Sequence, residues 1–347
     1  MFLFCLFFFN AAFSFEKWIV VTTIQAPTPQ LRKLAEIPGW RLVVVGDKKT
    51  PQDWHLDNCD YLSPEKQLAS NYELAKLLPW NSYSRKNIGY LYAIEHGAKI
   101  IYETDDDNEP IGGLNPTSPK SLLPECLTSS KFVNVYSYFG QPDVWPRGLP
   151  LEVIATSRNF QMSEPKDCLI GIEQGIVNGD PDVDAIFRLT QDKSINFTNQ
   201  PSFYLPEGVF CPFNTQNTFF HKKAFFALYV PVSVSMRVAD IWRGYLAQRL
   251  IWNIGCNLAF SGPNAFQERN EHDLFKDYLL EQDLFLKASH LINCLSKWKT
   301  SITNSNDIIL LLYKDLILEG FFNAKEAEFV EAWLNDLKKI KSKTSIS

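Results

Sequence analysis

One place constrains this chain more than any other. A run of the kind that forms a buried strand, Lys99-Ile-Ile-Tyr-Glu-Thr104, leads directly into Asp105-Asp106-Asp107-Asn108. Adjacent carboxylates repel one another, and holding them together takes a cation or several hydrogen-bond donors. If the segment stays extended, Asp105 and Asp107 project to one side, roughly 7 Å apart. That span suits one carboxylate on a divalent ion and the other on its water or on a ribose hydroxyl. Taken alone, a solvated acidic turn closing a strand is the commoner explanation of such a triplet. The surroundings change that weighing.

Upstream, Trp18 to Ile24 and Arg41 to Gly46 are short β-branched runs suited to buried parallel strands. Pro29 to Ile37 reads as a helix between them, stopping at Pro38-Gly39, so the chain begins βαβ. Ser84 to His96 has helical spacing with Ser84 as N-cap, and Gly97 suits the residue past its end. Open α/β sheets bind ligands at the carboxyl ends of their strands, which is where Asp47 and Asp105 to Asp107 fall. From Glu109 to Pro231 the chain is rich in Pro, Gly and Asn, with short strands expected at 133–139 and 185–189. Helical patterns then run over 242–254, 273–294, 306–318 and 324–340. The resulting division is a targeting or anchoring segment at 1–15, an α/β domain at 16–265, a helical region at 266–341 and a flexible tail at 342–347.

Arg85-Lys86-Asn87 lies at the start of the helix expected over Ser84 to His96, where backbone N–H groups and the positive dipole end favour phosphate. A cationic helix start beside an acidic metal clip makes a two-sided diphosphate cradle. Arg85 and Lys86 pair equally well on the surface with Glu73 or Glu95. Asp47 is placed to accept from a base N–H or a ribose hydroxyl, or simply to make the turn in Gly46-Asp47-Lys48-Lys49. Asp240 is a candidate base for an acceptor hydroxyl, against the competing role of capping the helix before Trp242. Asp182 and Asp184, in Asn178-Gly-Asp-Pro-Asp-Val-Asp184, are further acidic candidates in what also reads as a turn. His272 is a candidate third metal ligand, set against a solvated position in Glu271-His272-Asp273. Trp80, Trp145 and Trp242 suit sugar stacking but are more often packed.

Thirty-four basic residues stand against 39 acidic ones, a net charge of −5, which excludes a nucleic-acid partner because phosphate chains need a basic face. Met1 to Phe15 is apolar, rich in Phe and uncharged, too short to span a bilayer as a helix. With Ala12 and Ser14 at the −3 and −1 positions of a cut it reads as a signal peptide; a trimmed membrane anchor and a buried first strand are the alternatives. Its removal leaves six cysteines, an even number that fits disulfides in a secretory lumen through any of 15 pairings. None forms a Cys-x-x-Cys or a Cys/His motif, which argues against structural zinc. Asn196-Phe197-Thr198 is a single glycosylation sequon.

The stretch from Trp18 to Pro110, and above all RKNIGYLYAIEHGAKIIYETDDDN, resembles the STELLO family of glycosyltransferases. Gly171 to Ala185 and Asp240-Ile-Trp-Arg-Gly-Tyr245 are more distantly similar to the reversibly glycosylated polypeptides, the UDP-arabinopyranose mutases. The resemblance covers residues 17 to 272 and implies a GT-A-like (Rossmann-like) nucleotide-sugar-binding α/β domain with a C-terminal helical extension. It implies Mn²⁺ or Mg²⁺ as cofactor, held by Asp105 and Asp107 and, more weakly, by His272. Thr23, Asp47, Arg85, Asn87, Asp105 and Asp106 become the nucleotide-sugar contacts, with Asp240 or Asp184 as catalytic carboxylate. The partners implied are a nucleotide-sugar donor, with UDP as nucleotide, and a glycan or protein acceptor. STELLO proteins are typically anchored in the Golgi, so attachment through residues 1–15 and a Golgi location are further expectations. A nucleotide-sugar mutase and a catalytically silent assembly protein on the same fold are the competing readings.

Overall fold

The computed structural model describes residues 15–191, 193–268, 273–302 and 304–344. Met1 to Ser14, the expected targeting segment, lie outside the described residues, as does His272. Twelve strands occur in them: β1 Lys17–Thr22, β2 Arg41–Val45, β3 Cys59–Leu62, β4 Ile100–Thr104, β5 Asn108–Pro110, β6 Lys120–Leu123, β7 Cys126–Leu127, β8 Gln161–Met162, β9 Lys166–Gly179, β10 Phe203–Leu205, β11 Asn217–His221 and β12 Asn257–Gln267. The helices are α1 Pro29–Ala35, α2 Pro64–Ala69, α3 Glu73–Leu77, α4 Lys86–Glu95, α5 Ala185–Thr190, α6 Met236–Trp252, α7 Leu274–Leu280, α8 Gln282–Lys297, α9 Ser305–Leu318 and α10 Glu326–Thr344. None of them is long and apolar enough to cross a membrane.

The main sheet runs β10-β12-β9-β11-β4-β1-β2-β3, with β5 on β12 and β6 on β9. Its first half, β3-β2-β1-β4, is wholly parallel, and β11 then joins β4 antiparallel. This is the α/β, Rossmann-like arrangement that the strand–helix–strand pattern predicts. The strand order reverses between β1 and β4, and the crevice at such a switch point is where open α/β sheets take ligands. Helix α4 lies close on β1 and β2 because it carries Gly89 there. A Cβ at that position would stand 2.6 Å from Val20 Cγ1 and 2.9 Å from Val45 Cγ2.

The C-terminal helices are built onto the same core rather than beside it. Leu291 and Leu295 of α8, Leu312 of α9 and Trp333 of α10 belong to one buried cluster with Val20, Ile88 and Ile101. Asp336 of α10 accepts from the N–H groups of Glu73 and Leu74, both at 2.9 Å, and so caps α3, which lacks a cap of its own.

Three local expectations fail, each for a nearby polar reason. The strand expected over 133–139 is instead a 3₁₀ turn at Val135–Ser137, because the Asn134 side chain accepts from Tyr136 N. The strand expected over 185–189 is α5, nucleated by Asp184 at its N-cap. The helix expected over 273–294 breaks at Glu281, whose carboxylate accepts from Ala185 N and from Arg237 Nε. The six cysteines within the described residues are all free thiols, so the disulfide expectation is not met.

Candidate functional site

The loops after β1, β2 and β4 open into a cleft of about 550 Å³, and its far wall comes from the 180–182 turn, α6 and the end of β12. Thr23, Asp47, Arg85, Asp105, Asp106, Asp107, Asp182 and Asp240 all line it. The three adjacent aspartates are not extended, as the 7 Å estimate assumed; the chain turns at Asp106 and Asp107 and aims all three into the same cleft. Across the switch point, Thr23 Oγ1 donates to Asp106 Oδ2 at 2.5 Å and Thr28 Oγ1 to Asp106 O at 2.5 Å. Gln267 Nε2 donates to Asp107 Oδ2 at 2.9 Å, tying the triplet to the far wall.

Asp105 is held by a residue that the sequence offered either to a phosphate or to a surface ion pair. Lys86 is fully buried, and its Nζ donates to Tyr83 Oη (2.8 Å), Thr104 O (2.7 Å) and Asp105 Oδ1 (3.3 Å). Tyr83 Oη donates to Asp105 Oδ1 at 2.7 Å. The cationic helix start therefore points beneath the acidic triplet instead of out toward a phosphate. Burial, then the neighbouring Asp105, pushes Asp107 up to about 6, and burial likewise raises Asp106.

Asp47 accepts from Lys48 N at 2.6 Å and Ser82 N at 3.2 Å, which fixes its carboxylate at the mouth of the cleft. Arg85 borders the cleft, but its guanidinium is spent on structure. It donates to Gln67 Oε1 (2.7 Å) and Leu78 O (3.0 Å) and lies 3.5 Å from the Trp80 ring. Burial lowers its pKa to about 10. Asn87 faces away from the cleft: its amide donates to Val230 O and accepts from Val230 N, both at 2.8 Å. Its expected nucleotide contact is a packing contact between α4 and the 230 loop.

On the far wall two arginines hold three aspartates. Arg147, almost fully buried, donates to Asp182 through Nε (2.6 Å) and one Nη (2.8 Å) and to Asp240 at 2.8 and 3.1 Å. Asn214 Nδ2 adds a bond to Asp182 at 2.7 Å. Burial works to raise Asp182, but the Arg147 charge and hydrogen bonds overcome it and hold its carboxyl below the usual range. Arg188 pairs with Asp180 on the same wall. Asp240 is not a cap, since α6 starts at Met236 with Ser235 as its N-cap. Asp184 is one: it accepts from Phe187 N at 2.8 Å and Trp145 Nε1 at 2.6 Å, is fully buried and does not line the cleft. Of the tryptophans, Trp145 is engaged by Asp184 and Trp242 is enclosed by Phe321 and Phe322.

The donor set fits a hard divalent ion, which prefers one or two carboxylates completed by water and phosphate oxygens. Asp105, Asp106 and Asp107 offer the carboxylates, and an ion there would relieve the repulsion that its two neighbours exert on Asp107. They do not close a three-ligand cage by themselves. Among the described residues that convergence occurs at His290, Cys294 and Glu319, elsewhere in the molecule.

Fold and cleft together define a Rossmann-like α/β protein with an acidic crevice at its topological switch point. Comparison with known proteins sharpens that class. A sequence profile described as STELLO glycosyltransferases matches residues 237–346. Two Arabidopsis thaliana proteins, named probable glycosyltransferase STELLO1 and STELLO2, are each 37% identical to this chain over 348 residues, covering 94% of it and 45% of their own length. The chain belongs to a STELLO-like family of glycosyltransferases, and it spans about half the length of those relatives. Among solved structures, glucosyl-3-phosphoglycerate synthase of M. tuberculosis overlaps 82% of each chain at 8% identity, but with a TM-score of 0.36 the likeness carries no argument.

Proposed function

We propose that this chain is a divalent-metal-dependent glycosyltransferase that moves a sugar from a UDP-sugar to a glycan or protein acceptor within the Golgi lumen. The observation that carries the reading is that three adjacent carboxylates, Asp105, Asp106 and Asp107, are aimed into one cleft at the switch point, opposite an arginine-held wall. The family's names support the reaction class.

In this reading Asp105 and Asp107 hold Mn²⁺ or Mg²⁺, with Asp106 kept in line by Thr23 and Thr28. The ion supplies neutralisation of the charge that develops on the departing diphosphate, worth several kcal/mol in general. Lys86 and Tyr83 set the orientation of Asp105 from beneath. Asp47, anchored by two backbone N–H groups, takes the nucleoside side. Asp240 is the proposed base, its ring of donors from Arg147 fixing both oxygens toward the acceptor side.

The deciding experiment is Mn²⁺-dependent UDP-sugar binding and hydrolysis by the purified chain. Asp107→Ala should abolish both. Asp240→Asn should keep donor binding and lose transfer. A wild-type chain that binds no nucleotide with any divalent ion overturns the proposal, and isomerised sugar from UDP-sugar alone would replace transfer with mutase activity.

A further inference from the structure

A second place in the fold has metal-ligand chemistry of a different kind. His290 and Cys294 stand four residues apart on α8, so both project from one face of the helix, a Cys/His pair that corrects the sequence reading, which found none and argued against zinc. Glu319, just past the end of α9, reaches the same point from a separate element. His290 Nε2 lies 4.0 Å from Cys294 Sγ and 3.8 Å from a Glu319 carboxylate oxygen, and the three ligand atoms all fall within 4.8 Å of one another. The imidazole is already oriented, stacked on Phe321 with ring centroids 5.2 Å apart.

We propose that His290, Cys294 and Glu319 bind a zinc ion, with water as the fourth ligand. Zinc takes thiolate at about 2.3 Å and imidazole or carboxylate at about 2.0 Å, which sets tetrahedral ligands roughly 3.5 Å apart. The two His290 separations, 4.0 and 3.8 Å, exceed this by a few tenths of an ångström, and with all three atoms within 4.8 Å side-chain rotation at this half-exposed site would close the set. A thiolate, an imidazole and one carboxylate select a borderline-soft ion, whereas the all-carboxylate triplet in the cleft selects a hard one. The chain therefore carries two metal sites that do not compete for the same ion. Binding deprotonates Cys294, and that proton passes to solvent.

The consequence is mechanical. The ion would tie α8 to the turn between α9 and α10 at Glu319-Gly320-Phe321. Phe321 packs edge-on against Trp242 of α6 at 5.5 Å, two residues from Asp240. The staple therefore secures the outer helices against the helix that forms the far wall of the cleft.

The test uses Co²⁺ as a spectroscopic stand-in on the full chain. A thiolate-to-cobalt charge-transfer band should grow to saturation at about one equivalent and vanish on adding Zn²⁺ but not Mg²⁺. Cys294→Ser should remove the band, and His290→Ala should weaken Co²⁺ binding at least about tenfold. Both variants change half-exposed positions, and circular dichroism checks their folding. Wild-type chain without the band, or a band that persists in Cys294→Ser, overturns the proposal. Asp105→Asn/Asp107→Asn must retain the band, which separates this site from the failure or success of the cleft assignment.

Discussion

The two walls of the cleft use the same side chain for opposite ends. On the β1-β4 side, Asp105 pairs with the buried ammonium of Lys86, while Asp106 takes a threonine hydroxyl and Asp107 a glutamine amide. On the α6 side, Asp182 and Asp240 share one buried guanidinium and Asp180 has another. Arg147 presents a fork that satisfies two carboxylates at once, whereas Lys86 is a point charge spent partly on backbone oxygens. The first wall crowds three adjacent carboxylates, two of them raised by burial; the second locks two onto one fork. An aspartate's role in this cleft is thus decided by its cation.

The sharpest way to break that contrast is at the triplet. Asp105→Asn with Asp107→Asn should reduce metal-dependent turnover about 10²–10³-fold, the range for losing a main electrostatic contact. Turnover measured at saturating Mn²⁺ checks it, and unchanged turnover would detach the ion from the triplet.

The opposite wall should respond in stability. Arg147→Met leaves Asp182 and Asp240 buried without their cation, which costs about 3–5 kcal/mol for a broken buried pair. Adding Asp182→Asn and Asp240→Asn should restore most of it, and urea unfolding of the single and triple variants measures the difference. A loss below about 1 kcal/mol in the single variant would place that wall among ordinary surface pairs.

Acid provides a gentler probe. Asp107 is raised to about 6, so the folded chain holds this proton more tightly than the unfolded chain. The metal-free protein therefore loses stability from this group as pH rises from the ordinary carboxylate range through about 6. A divalent ion must displace the proton, so the rise in Tm caused by Mn²⁺ should grow between about pH 5 and about pH 7. A Mn²⁺ effect that is flat over that range would detach the ion from Asp107.

What the sequence made legible follows from the range of the forces involved. Strands β1, β2 and β4 and helix α4 are encoded locally by β-branched runs and a helical pattern, and they emerged with the right order and type. Ser84, however, does not cap α4: it lies in a 3₁₀ turn capped by Ser82, and α4 starts at Lys86 without a side-chain cap. Their carboxyl ends put Thr23, Asp47 and the aspartate triplet in one cleft, because in a parallel sheet that follows from strand direction alone. Side-chain partners across long separations were not legible. Nothing around Arg147 in Trp145-Pro146-Arg147-Gly148 announces Asp182 and Asp240, and Gln267 reaches Asp107 over 160 residues. Arg85, Lys86 and Asn87 show the limit most clearly, since spacing identified the right helix start while burial turned all three side chains inward. The alternation over 185–189 reads as a strand until Asp184 caps the segment, and a six-residue helix is too short for its period to outweigh that reading.

Asp184 also supplies the smallest predicted effect and a clean control for the comparison. It lies two residues from Asp182, yet it faces the core and has no arginine. Burial raises it to about 6, with hydrogen bonds from Phe187 N and Trp145 Nε1 working against the shift. Replacing it by Asn keeps a good N-cap, since Asn and Asp cap about equally well. The neutral amide relieves desolvation of the charge, but its NH₂ group then meets one of the two donors, and these opposing terms nearly cancel. Asp184→Asn should therefore change stability at neutral pH by no more than about 1 kcal/mol. It should also flatten the stability profile below about pH 6, where native Asp184 gains its proton. Transfer activity should stay within about twofold of wild type, unlike Asp240→Asn. A loss of about 100-fold with unchanged stability would move the catalytic carboxylate from the arginine-matched wall to this buried cap, and the rule that the cation decides the role would fail with it.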